Sequence, residues 1–160
     1  MKQYVFGYGS LMNPESARKT LKRRVEARPA TLLGYMRKCN APVNGYLYMN
    51  LIPWVGGRVG GVLLLVSWRE LAMLKVREVG YECVDVTRCI AGPCVGATFA
   101  FIAPDRTLPK LKILKSYLDT CLEGVPLTER TRWLQETIVV NEIEDDSEAP
   151  RYVNAIPIKK

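Results

Sequence analysis

No histidine occurs anywhere in the 160 residues. Every mechanism that needs an imidazole is excluded, whether Ser-His-Asp, Cys-His or a histidine general acid, and proton transfer falls to carboxylates, tyrosines, lysines or cysteines. The five cysteines, Cys39, Cys83, Cys89, Cys94 and Cys121, include no C-x-x-C pair. With no histidine beside them they offer no zinc site, and neither a metal nor another cofactor is expected. They read as small core residues, with Cys89 and Cys94, which flank Gly92-Pro93, spaced to pair across a turn in an oxidising or thermophilic setting. No uninterrupted apolar run approaches a membrane span, and a single lysine followed by a strand pattern stands where a signal peptide has its apolar core. A soluble, cytoplasmic protein without a membrane partner is the expectation. Nucleotide-loop signatures are missing too: Leu11, Met12 and Asn13 follow Gly7-Tyr8-Gly9-Ser10, which completes neither G-x-G-x-x-G nor a Walker loop with its lysine.

Hydrophobic residues make up 48% of the chain. That suffices for one core and, at this length, not for two, so residues 1–160 read as a single domain. The formal net charge of +7 favours anionic ligands. Arg18, Lys19, Lys22, Arg23, Arg24 and Arg28 cluster early, whereas Glu142, Glu144, Asp145, Asp146 and Glu148 lie late, in a stretch (141–160) that reads as an acidic loop and tail. Charge runs of this kind are usually solvated faces. No aromatic-rich RNA-binding signature accompanies them, which leaves nucleic-acid binding as an outside alternative.

The chain opens with a short strand pattern, Tyr4-Val5-Phe6, that runs into Gly7-Tyr8-Gly9-Ser10-Leu11; Asn13-Pro14-Glu15 then reads as a helix start. A strand thus delivers a glycine-punctuated loop to a helix. Such a loop is either a plain turn or, because glycine lets a ligand approach peptide N–H groups, an anion cradle suited to a carboxylate. Pro14 to about Arg24 predicts a short basic helix, Ala30 to Cys39 a second strand, and Tyr46 to Ile52 a third, after the Asn44-Gly45 turn. Gly56-Gly57 is expected to turn the chain into a buried strand over Arg58–Val66, whose glycines suit a bulge or bend.

Ser67-Trp68-Arg69-Glu70 matches a capping box, so a helix is predicted from Trp68, with Gly80 placed to end it. Leu71, Leu74 and Glu78 fall at i, i+3 and i+7, which turns a carboxylate inward near the helix C-terminus. Desolvation and the negative helix end both raise the pKa of such a group toward the range useful for acid–base work. The plain alternative is an ion pair with Arg77 or Arg88 at a wet surface. Tyr81 to Ile90 and Cys94 to Ala103 predict a hairpin joined by Ala91-Gly92-Pro93. Leu111, Leu114, Leu118 and Leu122 give helical spacing ended by Gly124 and Pro126, and a shorter helix follows over Thr128 to Glu136.

Taken together, Tyr4 to Leu11, Arg77-Glu78-Val79-Gly80-Tyr81, and Tyr117-Leu118 with Gly124 resemble the γ-glutamylcyclotransferase-like superfamily (AIG2-like and glutathione-specific cyclotransferases). Leu32-Leu33-Gly34-Tyr35-Met36-Arg37 and Arg58-Val59-Gly60-Gly61-Val62-Leu63 look like its second strand and its G-V-L strand, so the resemblance spans most of the chain. It implies an α+β fold, a small mixed β-barrel with flanking α-helices. It also implies a substrate site at Tyr8, Gly9, Ser10 and Leu11, whose backbone donors would hold the α-carboxylate of a small γ-glutamyl substrate. Glu78 matches the family's acid/base glutamate, and Tyr117 a tyrosine that lines the pocket or merely packs a helix. The implied activity is closure of a γ-glutamyl group to 5-oxoproline with release of an amine or amino acid. A γ-glutamyl deprotecting lyase on a carrier or polyamine substrate, and a non-catalytic basic binding protein, are the alternatives. Lys75 and Glu82 stand where the family commonly has aspartate and arginine. Glu82 is therefore a second candidate carboxylate, expected to face solvent if Tyr81 faces inward along a strand.

Overall fold

The computed structural model describes residues 2–93 and 95–152. A Cys89–Cys94 pairing and the packing of Ile156 to Lys160 lie outside the described residues.

The first strand, β1 (Gln3–Gly7), is buried along its whole length. The loop at Tyr8–Gly9 leads into one 3₁₀ turn (Ser10–Met12) and then α1 (Pro14–Leu21). Asn13 caps α1, its Oδ1 accepting from the Glu15 amide at 3.0 Å, and Pro14 occupies the first helical position. The next two strands, β2 (Ala27–Val43) and β3 (Tyr46–Val66), form one long antiparallel hairpin. Asn44 and Gly45, at φ 50° and 83°, make the two-residue turn that matches strand twist.

The two strands expected over Tyr46–Ile52 and Arg58–Val66 are thus one. The pair Leu33↔Arg58 is followed directly by Tyr35↔Pro53, so Trp54 to Gly57 bulge outward opposite Gly34 instead of reversing the chain. β2 runs alongside without interruption, and Gly34 and Gly56, both at positive φ, absorb the irregularity.

Helix α2 (Trp68–Arg77) starts with the predicted capping box: Ser67 Oγ accepts from the Glu70 amide at 3.2 Å and Glu70 Oε2 from the Ser67 amide at 2.8 Å. The predicted hairpin forms, in shortened form, as β4 (Glu82–Asp85) against β5 (Ala97–Ile102). Asp85 Oδ1 accepts from the Thr87 amide at 2.9 Å and its hydroxyl at 2.6 Å, and this side-chain turn ends the strand. Next come β6 (Ile113–Leu114), α3 (Lys115–Glu123), a 3₁₀ turn (Leu127–Glu129), α4 (Arg130–Gln135), β7 (Thr137–Ile138) and β8 (Ile143–Glu144).

The main sheet has the order β4-β5-β1-β3-β2-β7; β1 is antiparallel to β3 and parallel to β5. It corrects the expected barrel. Closure requires the outermost strands to pair with each other, but these are β4 and β7, four and two residues long at opposite ends of the order. The bulges bend the long hairpin without bringing those edges together. The fold is therefore α+β, an open mixed sheet flanked by helices.

Alternation along β1 sorts the core. Val5 packs with Leu64, Val66, Ala17, Leu21, Leu71 and Leu74, which seats α1 and α2 on one face of the sheet. Tyr4 and Phe6 belong to the other cluster, with Leu63, Tyr117, Cys121 and Trp133 from the hairpin, α3 and α4. Of the acidic stretch, Ile143–Glu144 pairs with β6 and Asp146 is buried, its carboxylate accepting from the Ser116 amide and the Arg151 amide, both at 2.8 Å.

Candidate active site

The end of β1, the end of α2 and the start of α3 meet at one cavity. Gly7 to Leu11 line it together with Met49, Glu78, Tyr81 and Tyr117, and its free volume is ≈ 30 Å³. No acceptor among the described residues takes the amide hydrogens of Gly9, Ser10 or Leu11. Three successive donors therefore remain for a ligand. Glycine at position 9 is a matter of space: a Cβ there would lie 3.1 Å from both Met49 Cβ and the Tyr117 hydroxyl. Tyr8 turns its ring into the core, where its hydroxyl donates to the Phe101 carbonyl.

Beyond the end of β1, the Met49 edge of β3 has no strand beside it on that side, since β1 pairs only with Val62 to Val66. Two tyrosines take its backbone groups. The Met49 amide donates to Tyr117 Oη at 3.0 Å, and Tyr81 Oη donates to the Met49 carbonyl at 2.7 Å. Tyr117 lines the cavity and packs its helix against Tyr48 and Tyr152.

Glu78 is the residue at which α2 ends, its amide still bonded to the Leu74 carbonyl at 2.9 Å. Its side chain is 17% exposed and lines the cavity. Arg77 Nε lies 3.1 Å from Glu78 Oε1, so the ion pair considered from sequence exists, but inside the protein. Burial pushes the Glu78 carboxyl above the usual carboxylate range, and Arg77 opposes that rise. Arg77 is itself tied down: Nη1 donates to the Ser16 carbonyl (2.9 Å) and Thr20 Oγ1 (3.0 Å), Nη2 to Ser16 Oγ (2.8 Å) and Ser10 Oγ (3.0 Å). One guanidinium thereby joins the donor loop, α1 and the carboxylate. Ser10 Oγ, which accepts from Arg77, also meets the Tyr152 hydroxyl. Glu82 is exposed on β4, whereas Tyr81 turns inward.

The structure brings Tyr8, Gly9, Ser10, Leu11, Glu78 and Tyr117 to the same cavity. Sequence reasoning overlooked the linking role of Arg77, although it neighbours Glu78, and the roles of Tyr81 and Met49. It also overlooked Tyr152, whose ring centroid lies 4.9 Å from that of Tyr117 and whose phenol faces Ser10. Nothing local in the sequence marks Tyr152, whose amide donates to Ser116 Oγ on α3 at 3.2 Å.

The open, helix-flanked α+β sheet is also the fold of known proteins that this chain resembles. Residues 5–117 match the family described as Gamma-glutamyl cyclotransferase, AIG2-like. The chain belongs to that family. Among solved structures, an Arabidopsis thaliana protein determined in solution is 30% identical, with 69% of this chain and 74% of that one covered and a TM-score of 0.54. A structure named gamma-glutamyl cyclotransferase (14% identity, 92% and 96% covered, TM-score 0.66) shares the fold. So does an uncharacterized protein from Homo sapiens (15% identity, 92% and 96% covered, TM-score 0.66). No curated protein matches. Among the described residues, no helix is long and apolar enough to cross a membrane.

Proposed function

We propose that the protein closes γ-glutamyl groups to 5-oxoproline by intramolecular aminolysis. The α-amino nitrogen forms a bond to the γ-carbonyl carbon, the amide bond to the departing amine breaks, and one proton moves from the attacking nitrogen to the leaving nitrogen. Attacker and electrophile belong to one molecule, so holding the chain in its folded-back geometry supplies much of the acceleration. In this reading the free amides of Gly9, Ser10 and Leu11 hold the α-carboxylate, and one of them also donates to the oxyanion as it develops. Glu78 accepts the proton and returns it. A carboxylate whose pKa burial has raised is suited to both halves of that task.

The observation that carries the proposal is the meeting of a largely buried, arginine-paired glutamate with three unpartnered amides in one cavity. Seating a γ-glutamyl group requires the aromatic walls to part. The test is incubation of the purified protein with glutathione, γ-glutamyl amino acids and γ-glutamyl amines, with 5-oxoproline followed by chromatography. Release from at least one of them is expected, and the substrate that reacts identifies the leaving group. No product from any, with 5-oxoproline still bound, would make the protein a binding module. Salt-dependent retention of nucleic acid without turnover would favour the basic-binder alternative.

A further inference from the structure

Arg37 is the largest of the fully buried side chains, 0% exposed in the middle of β2. It forms no ion pair among the described residues. Its Nε donates to the Tyr8 carbonyl at 2.8 Å, Nη1 to Thr137 Oγ1 at 3.1 Å and Nη2 to the Gly60 carbonyl. Its guanidinium carbon lies 4.4 Å from the centroid of the Trp133 ring. Taking a cation out of water onto neutral acceptors is expensive, and an apolar side chain would fill a strand interior without that cost. Burial draws the guanidinium down only to about 10, so it carries its charge at neutral pH.

The carbonyl it holds belongs to the same peptide unit as the Gly9 N–H. That unit is planar and trans, so the N–H points away from the carbonyl that Arg37 grips. Hydrogen bonds in series polarise one another, and a carbonyl bound to a cation makes its own N–H a stronger donor. Gly9 lines the cavity, and its amide has no acceptor among the described residues. The positive charge stands behind the loop, where no carboxylate among the described residues hydrogen-bonds to it: Glu136 is paired with Arg132 at 2.8 Å.

We propose that Arg37 is a positioning residue for the substrate's α-carboxylate, acting through the Tyr8–Gly9 peptide, which it fixes and polarises without itself touching the ligand. The proposal deepens the cyclisation reading and rests on it.

The test couples a change in the protein with a change in the ligand. Steady-state kinetics are measured for wild type and Arg37→Met, each with a γ-glutamyl substrate and with its analogue carrying a carboxamide in place of the α-carboxylate. For the carboxylate substrate the variant should raise KM about 10- to 100-fold, the scale of one hydrogen bond to a charged group, with kcat much less affected. For the carboxamide the same replacement should change KM by less than about threefold. Equal losses on both substrates would mark Arg37 as purely structural and overturn the proposal. Arg37→Lys keeps a positive charge and should recover part of the discrimination; failure to recover any, in a folded protein, counts against it.

Should neither variant fold, the wild type decides by NMR during titration with 5-oxoproline and with its carboxamide. The Gly9 amide and the Arg37 Nε–H should both shift with the carboxylate and respond weakly to the carboxamide. A Gly9 amide that moves while Arg37 Nε–H stays still overturns the proposal. A wild type that neither turns over γ-glutamyl compounds nor binds 5-oxoproline refutes the reading beneath it instead, so the two failures are told apart.

Discussion

Replacement of Glu78 by Gln keeps the size of the side chain and an oxygen for Arg77, and removes the titratable carboxyl. General acid–base catalysis contributes about 10²- to 10⁴-fold, so kcat should fall by that factor, equivalent to about 3–5 kcal/mol of barrier. The fold should survive, because Arg77 keeps its four bonds to Ser16, Thr20 and Ser10. Gln resembles the protonated carboxyl, so the two proteins should be similarly stable at low pH. The pH dependence of the difference between them has a definite sign. Burial raises the folded-state pKa of Glu78, so the native protein holds this proton more tightly than the unfolded chain does. The group's contribution to stability is greatest below the unfolded carboxylate pKa and is lost as pH rises through the raised folded value. The variant lacks that decline, so its stability relative to wild type should rise with increasing pH. The assay is 5-oxoproline release at saturating substrate, with thermal melts and 5-oxoproline binding to confirm an intact site. A folded variant whose kcat stays within about threefold of wild type would refute the assignment.

Arg77 opposes the rise in the Glu78 pKa, so Arg77→Gln should move the acid limb of the kcat/KM profile to higher pH and lose more activity at acid than at alkaline pH; an unmoved limb argues against the pairing. Gly9→Ala should lower kcat/KM about 10-fold or more by displacing the donor loop, since the added methyl meets Met49 and Tyr117. Gly45→Ala is the contrasting case: at φ 83° with open space around it, it should cost about 1–2 kcal/mol in a denaturation experiment and leave the kinetics unchanged. Burial works to raise the Asp146 carboxyl, but hydrogen bonds from the Arg151 amide and from Ser116 outweigh it and hold the group at about 2. That stabilisation is present above the ordinary aspartate range and is lost as pH falls toward about 2. Asp146→Ala should therefore cost about 1–3 kcal/mol near neutrality, and wild type and variant should converge in acid melts.

Local chemistry was legible wherever its partners lie within a few residues. Asn13 and the Ser67–Glu70 box start their helices as expected, Asn44-Gly45 makes its turn, and Leu71, Leu74 and Glu78 point inward together. Long-range pairing was not legible. Gly56-Gly57 carries the composition of a chain reversal, yet β2 holds both sides of it in a single ladder. The periodicity from Leu111 predicts a helix, but Ile113 and Leu114 are claimed by a strand thirty residues onward, and α3 begins only at Lys115. The charge run at the C-terminal end hides one buried aspartate, because hydropathy cannot tell a carboxylate that caps Ser116 from its solvated neighbours.

The two halves of the candidate site hang from parts of the sheet that differ in firmness. β1 lies inside, flanked on both sides, whereas the residues just after Glu78 lead into a four-residue strand at the rim. Amide exchange at Val5 and Phe6 should wait for global unfolding, while Cys83 and Val84 exchange through cheap local fraying. In the cyclisation reading proposed above, the loop after β1 that takes the α-carboxylate is the stiff half of the site, and the Glu78 side is the compliant one. On that reading, acceptance of different leaving groups should change through substitutions along the rim, without loosening the loop that follows β1.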